Sequence, residues 1–191
     1  MEGEYINGER NGKGKEYDNY GKLIFEGEYL NGKIWNGKGK EYHYGKLRFE
    51  REYKNGERNG KGKEYDYDGK LIFEGEYLNG KRNGKGKEYY YGNGKLMFEG
   101  EYLYDEKRKG KLYINNKLEY DGEYLYRKKW NGKGYDENLN IIYELFNGNG
   151  PVKEYYRFNG ELEFEGEYLN GERNGKGKVY HNNGKLKFEG E

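Results

Sequence analysis

The stretch "FEGEYLNGKRNGKGKEY", residues 73–89, packs four glycines, four basic residues and four aromatic or leucine side chains into the length of one hairpin. Extended backward to Lys70, it alternates Phe73, Gly75 and Tyr77 on one face with Ile72, Glu74, Glu76 and Leu78 on the other. That period of two predicts a strand. The following "NGKRNG" is rich in residues that accept positive φ, and "KGKEYYY" then makes a second short run before the turn "GNG". One hairpin is the predicted unit.

Nearly the same words return at Phe25–Tyr42, Phe49–Tyr65 and Phe164–Tyr180. Aligned on the residue before "EGEY", units start at Met1, Phe25, Phe49, Phe73, Phe98, Tyr120, Ile142 and Phe164, with a stub from Phe188, at spacings of 22 to 25 residues. A period held with small slips means an array. Glycine recurs too often for a helix, and no unit carries a 3.6-residue apolar stripe. The expected fold is all-β: an elongated single-sheet antiparallel meander of about eight hairpins over residues 1–191. Two strands per unit at about 4.8 Å each give a ribbon roughly 75 Å long. A single sheet has no second layer, so it must curl until rings of neighbouring hairpins cover one another. Gly75, Gly84 and Gly86 leave bare backbone for such rings to lie across.

Composition narrows the chemistry. Of the 191 residues, 37% are charged, with 36 basic against 35 acidic side chains; these figures alone suggest disorder, but 25 tyrosines in strict period supply a thin core of ring faces with wet hydroxyls. There is no cysteine, serine, threonine, alanine or glutamine. Thiol nucleophiles, serine and threonine nucleophiles, disulfides and thiolate metal sites are therefore closed. No apolar stretch approaches a membrane span and Met1 leads straight into a repeat, so the expected location is cytoplasmic.

Several motifs read as structure. The pairs Glu74/Glu76, Glu99/Glu101 and Glu165/Glu167 have the look of acid–base carboxylates, but their recurrence argues for a solvated strand face with lysines opposite. "GKIWNGKG", Gly32–Gly39, has phosphate-loop spacing without the hydroxyl that follows the lysine. Asp66 and Asp68 before Gly69 start like a calcium loop with no closing glutamate, and a turn is the better reading. His43 and His181 are expected as exposed turn residues. No catalytic residue, metal or cofactor is expected.

The charge arrangement says more than the total. Lys33, Lys38 and Lys40, and Lys81, Arg82, Lys85 and Lys87, sit in glycine-rich segments without an acid. Taken as hairpin tips they fall on one long edge, which predicts a basic rim able to meet anionic phospholipid. Nucleic acid is not expected, because net charge is +1 and the tyrosines recur at core spacing. The irregular units carry Trp35 and Trp130 in loops one residue longer than their neighbours, and the most apolar run, Ile141–Phe146, ahead of Pro151, the only proline. Tryptophan serves both as an interface anchor and as a lid over an exposed turn.

The pattern aromatic-x-Gly-x-Tyr-x-x-Gly followed by Gly-x-Gly resembles the MORN (membrane occupation and recognition nexus) repeat family. It stands here as Phe73, Gly75, Tyr77, Gly80, Gly84 and Gly86, and as Phe25, Gly27, Tyr29, Gly32, Gly37 and Gly39. The "NGKL.FEGEY" linker is similar to the variant found in antitoxin-like bacterial proteins. The resemblance implies a twisted, grooved β-ribbon whose motif residues are structural, with no catalytic residues of its own.

The expected function is a non-catalytic scaffold that binds a protein partner, with Trp35, Trp130, Ile141 and Phe146 as the candidate contacts. The alternatives are a peripheral membrane adaptor using the basic edge, and an antitoxin-like binder of a partner protein. Both ends carry open strand edges, which predicts a weak homodimer.

Overall fold

The computed structural model describes residues 2–191; the expected start of the first unit at Met1 lies outside the described residues. The chain forms two compact units, Met1–Gly94 and Lys95–Glu191. No helix occurs among the described residues.

The first unit is an eight-stranded meander of β1 (Glu2–Ile6), β2 (Glu9–Tyr17), β3 (Leu23–Leu30), β4 (Lys33–His43), β5 (Lys46–Tyr53), β6 (Gly60–Tyr65), β7 (Leu71–Leu78) and β8 (Lys81–Tyr89). Each strand is antiparallel to the next. The turn within each hairpin is only two residues long. Asn79 and Gly80 both have positive φ, 51° and 78°, the mirror-image turn whose twist matches the strands it joins. The second "NG" of residues 73–89 is no turn. Asn83 and Gly84 lie inside β8, where the register passes from Gly75↔Gly86 to Tyr77↔Arg82 and leaves two extra residues on β8. Gly84 takes φ 101° in this bulge, and the Glu76 side chain packs over it, accepting the Lys85 N–H at 2.9 Å.

The second unit holds β9 (Leu96–Leu103), β10 (Glu106–Ile114), β11 (Lys117–Leu125), β12 (Lys128–Tyr135) and β13 (Ile141–Leu145) in one antiparallel run. A four-stranded sheet of β14 (Gly150–Tyr155), β15 (Leu162–Leu169), β16 (Glu172–Tyr180) and β17 (Leu186–Gly190) follows. The ladder therefore breaks once in this unit, between β13 and β14. Among the described residues, only the bridge Phe146↔Asn149 at the turn pairs the two halves of that hairpin.

The core is one ring deep and repeats. Gly75 and Gly86 face each other across β7 and β8 so closely that a Cβ on Gly75 would stand 2.7 Å from the Gly86 Cα. Phe73 lies over this bare backbone, its Cζ 2.8 Å from the same imagined Cβ, and it is fully buried. Tyr77 meets it edge-on at 5.7 Å, and the Arg82 guanidinium covers its other face at 4.0 Å. Tyr77 in turn lies across Gly62 of the preceding hairpin, where a Cβ would come within 2.7 Å of the ring. Rings do shield the backbone of their neighbours, as the glycine spacing predicts. Phe25, Tyr29, Phe98, Tyr102, Tyr120 and Tyr124 are buried in the same way.

Candidate functional site

Two networks account for the charges of the regular hairpins. On the ring face, Glu64 accepts the Tyr77 hydroxyl at 2.6 Å and an Arg82 N–H at 2.9 Å. Glu16 does the same with Tyr29 and Arg10, and Glu154 with Tyr168 and Arg173. Burial pushes the Glu64 carboxyl up, but the donors Arg82 and Tyr77 outweigh it and hold it below the usual carboxylate range; Glu154 is lowered likewise. The tyrosines move the other way. Tyr29 is pushed up to about 12, first by burial and then by the Glu16 carboxylate that it faces.

A prediction follows from that pair of shifts. Because the folded state lowers the Glu64 pKa, its stabilisation is complete above the ordinary value of 4.5 and is lost as pH falls through the folded value. Glu64→Gln should cost about 1 to 3 kcal/mol at neutral pH, since Arg82 and Tyr77 lose a charged acceptor. It should also make the fall in stability below pH 4.5 shallower than in the parent chain. Urea titrations across that range test it, and an unaltered acid profile rules it out.

On the other face the lysines stand opposite glutamates. Glu74 is flanked by Lys63 and Lys87, Glu26 by Lys15 and Lys38, and Glu50 by Lys40 and Lys63. Lys40 reaches Glu50 at 3.6 Å and Lys15 reaches Glu26 at 3.0 Å. The expected row of basic hairpin tips is thus corrected. The tips of these hairpins are the uncharged pairs Asn31–Gly32 and Asn79–Gly80, with Lys33, Lys38, Lys40, Lys81, Lys85 and Lys87 placed in the strands that follow. Arg82 turns to the ring face altogether, because the strand alternation sends it opposite Tyr77.

The turn reading of Asp66 and Asp68 holds. Asp66 is fully buried, its Oδ1 accepting the N–H groups of Asp68 and Lys70 and its Oδ2 that of Gly92. Burial opposes ionisation here, yet these donors keep its carboxyl below the usual range. His181 is exposed at a turn, whereas His43, also exposed, is the last residue of β4 and pairs with Lys46 across the turn. Gly32–Gly39 runs from a hairpin turn into β4, with no helix for a phosphate loop. Among the described residues, no group of three or more acidic, histidine or cysteine side chains is placed to hold a metal.

Trp35 and Trp130 lay their rings against the next turn's glycine, Gly56 or Gly148, the position of a lid. Each is the extra residue of a one-residue bulge, half-buried, and its carbonyl accepts that glycine's N–H at 2.8 Å. Elsewhere an arginine carbonyl, that of Arg10 or Arg58, takes this role.

The apolar run is where the structure departs from its own pattern. Ile141 is 49% and Phe146 74% exposed, at the two ends of β13. Tyr143 is buried between them, stacked at 6.5 Å on Tyr120, and its hydroxyl donates to Glu119 at 2.8 Å. Beside β13 opens a concavity of about 480 Å³. Ile142, Tyr143, Pro151 and Val152 line it together with Gly166, Gly177 and Gly190. The sequence pointed to Ile141 and Phe146; it gave no sign of the concavity, which depends on the break in the ladder.

Hairpins of this kind, with rings laid on facing glycines and side chains paired off along both faces, define a β-hairpin repeat module. The MORN repeat model matches four segments of the chain, residues 2–22, 52–70, 73–95 and 164–186. The second hairpin lies outside those segments but has the same facing glycines, Gly27 and Gly37, and the same Asn31–Gly32 turn. No curated protein matches the chain.

Proposed function

We propose that the chain is a non-catalytic scaffold that binds a protein partner through the hairpin of β13 and β14. The observation that carries this reading is the coincidence, at one place, of the interrupted ladder, the exposed Ile141 and Phe146 and the adjoining concavity. The regular hairpins of the first unit also carry exposed rings, such as Tyr44 and Tyr67, and a concavity of about 460 Å³ beside Tyr53, but there the ladder is unbroken and Lys38, Lys40 and Lys87 face glutamates. That pairing also favours a protein partner over an anionic membrane, because a lipid headgroup meets neutralised rows where the peripheral adaptor reading needs a basic rim. An antitoxin-like role is one form of the same protein-binding reading.

The test compares capture by the full chain with capture by two variants. Proteins retained from native cells by the parent chain should be lost with Phe146→Asp and kept with Lys85→Glu, which alters the lysine rows alone. Retention that falls with Lys85→Glu and ignores Phe146→Asp would move the site away from β13.

A further inference from the structure

We propose that the open edge of β13 takes up an extended segment of the partner as an added antiparallel strand. This rests on the protein-binding reading above and states how that site holds its partner.

The facing glycines set the frame of every regular hairpin. In the regular hairpins they stand in register as Gly27↔Gly37, Gly75↔Gly86, Gly100↔Gly110, Gly122↔Gly132 and Gly166↔Gly177. The hairpin of β13 and β14 fills both places. Tyr143 pairs with Gly134 of β12 just as Gly75 pairs with Gly62, so Tyr143 occupies the first glycine position. Val152 occupies the second, two residues before Glu154 as Gly86 is two before Glu88. Against β12, Tyr143 is tolerated only because Gly134 has no side chain: a Cβ there would run into the Tyr143 ring. On its other flank the chain offers a valine where glycine is needed, next to Pro151, which has no N–H to donate. The chain's own strand is therefore unable to complete the ladder.

The two edges left by this mismatch are unequal. β14 is blunted by Pro151, one of the usual protections of an open edge. β13, "IIYEL", carries a single charge, Glu144, and that is answered by Lys133 at 3.5 Å. β13 ends its sheet, met by β14 only near the turn, at the Phe146↔Asn149 bridge and where Gly150 lies against the Glu144 carbonyl; toward Ile141 the apolar strand has no paired neighbour on that side and borders a concavity, the features of strand-addition sites. The occupant's chemistry follows from Tyr143. It is an extended segment with glycine or another small residue opposite that ring and long polar residues on either side, the pattern of the chain's own second strands.

A peptide copying residues 84–91, "GKGKEYYY", serves as the probe, with its Gly86 placed to face Tyr143. Hydrogen exchange should show the β13 amides opening faster than those of β7, and slowing when the peptide is added at up to about 1 mM. Of two probes N-methylated at alternate residues, the one blocked on the side facing β13 should bind about tenfold more weakly. A probe with valine for Gly86 should not bind. Pro151→Lys combined with Val152→Gly restores the regular pattern, so it should slow exchange across β13 and abolish peptide binding.

Equal binding of both N-methylated probes overturns strand addition, and if Phe146→Asp still removes that binding the protein-binding site itself stands. Absence of binding by every probe, or β13 amides as protected as those of β7, also overturns it. Failure of the capture experiment with Phe146→Asp, by contrast, removes the site and not merely its mode.

Discussion

Raising the pH above 10 should unfold this protein abruptly, with ionisation of the buried tyrosines and loss of the sheet in a single transition. Tyr77, Tyr124 and Tyr143 are at most 8% exposed, and burial is the leading reason that each keeps its phenol proton beyond the ordinary range near 10. For Tyr77 and Tyr143 the carboxylates that accept their hydroxyls, Glu64 and Glu119, add to this. A raised folded-state pKa leaves the stabilisation complete below the unfolded value. As pH climbs past it, the unfolded chain binds fewer protons than the folded one, so stability falls. Three such phenols give a slope of about 4 kcal/mol per pH unit, enough to consume a typical stability of about 5 to 15 kcal/mol within a few units. Tyrosinate absorbance and circular dichroism followed together in one titration provide the check. Tyrosines that all ionise near pH 10 while the sheet signal persists would show that the phenols are not held as described.

Gly75→Val should be strongly damaging, costing about 3 kcal/mol, the upper part of the range for overpacked cores. The first atom added would stand 2.7 Å from the Gly86 Cα and the Lys85 carbonyl oxygen and 2.8 Å from the Phe73 ring. Two of those obstacles are backbone, which cannot rotate aside. Gly80→Ala is the control. A Cβ there meets no atom within 4 Å, so only the backbone conformation at φ 78° opposes it, at about 1 to 2 kcal/mol. Urea midpoints should rank the variants in that order. A Gly75→Val midpoint at or above that of Gly80→Ala would show that the facing glycines are dispensable.

The same two glycines show how much of the molecule the sequence carries. Alternation in "FEGEYL" and the repeat spacing were enough for strands, hairpins and their order, because a period of two admits one backbone solution once helix is excluded. The second "NG" was misleading for a physical reason. Asn83–Gly84 has the same local preference for positive φ as Asn79–Gly80, and only the cross-strand register decides that one becomes a turn and the other a bulge. That choice places Lys85 in the bulge, Lys87 opposite Glu74 on a strand face and Arg82 on the ring face, while Lys81 stays beside the turn. The break beside β13 was legible in principle. Tyr143 and Val152 stand where the pattern calls for glycine, but what their bulk does to the ladder appears only when the two strands are set side by side.

The backbone bond from each turn to the hairpin before it has a consequence for how such a chain grows and shrinks. In the first unit the N–H groups of Gly32, Gly56 and Gly80 each close on a carbonyl of the preceding hairpin, that of Arg10, Trp35 or Arg58, at 2.8 to 2.9 Å. Asn55 and Asn79 add a second stitch, to the side-chain oxygens of Asn36 and Asn59. Every hairpin is thus sewn to its predecessor by the same thread at the same place. Excising one whole repeat brings together two ends that already fit, whereas excising half of one leaves a needle without cloth. Duplication and loss in whole repeats are then nearly neutral steps, with stability passed along the seam from neighbour to neighbour.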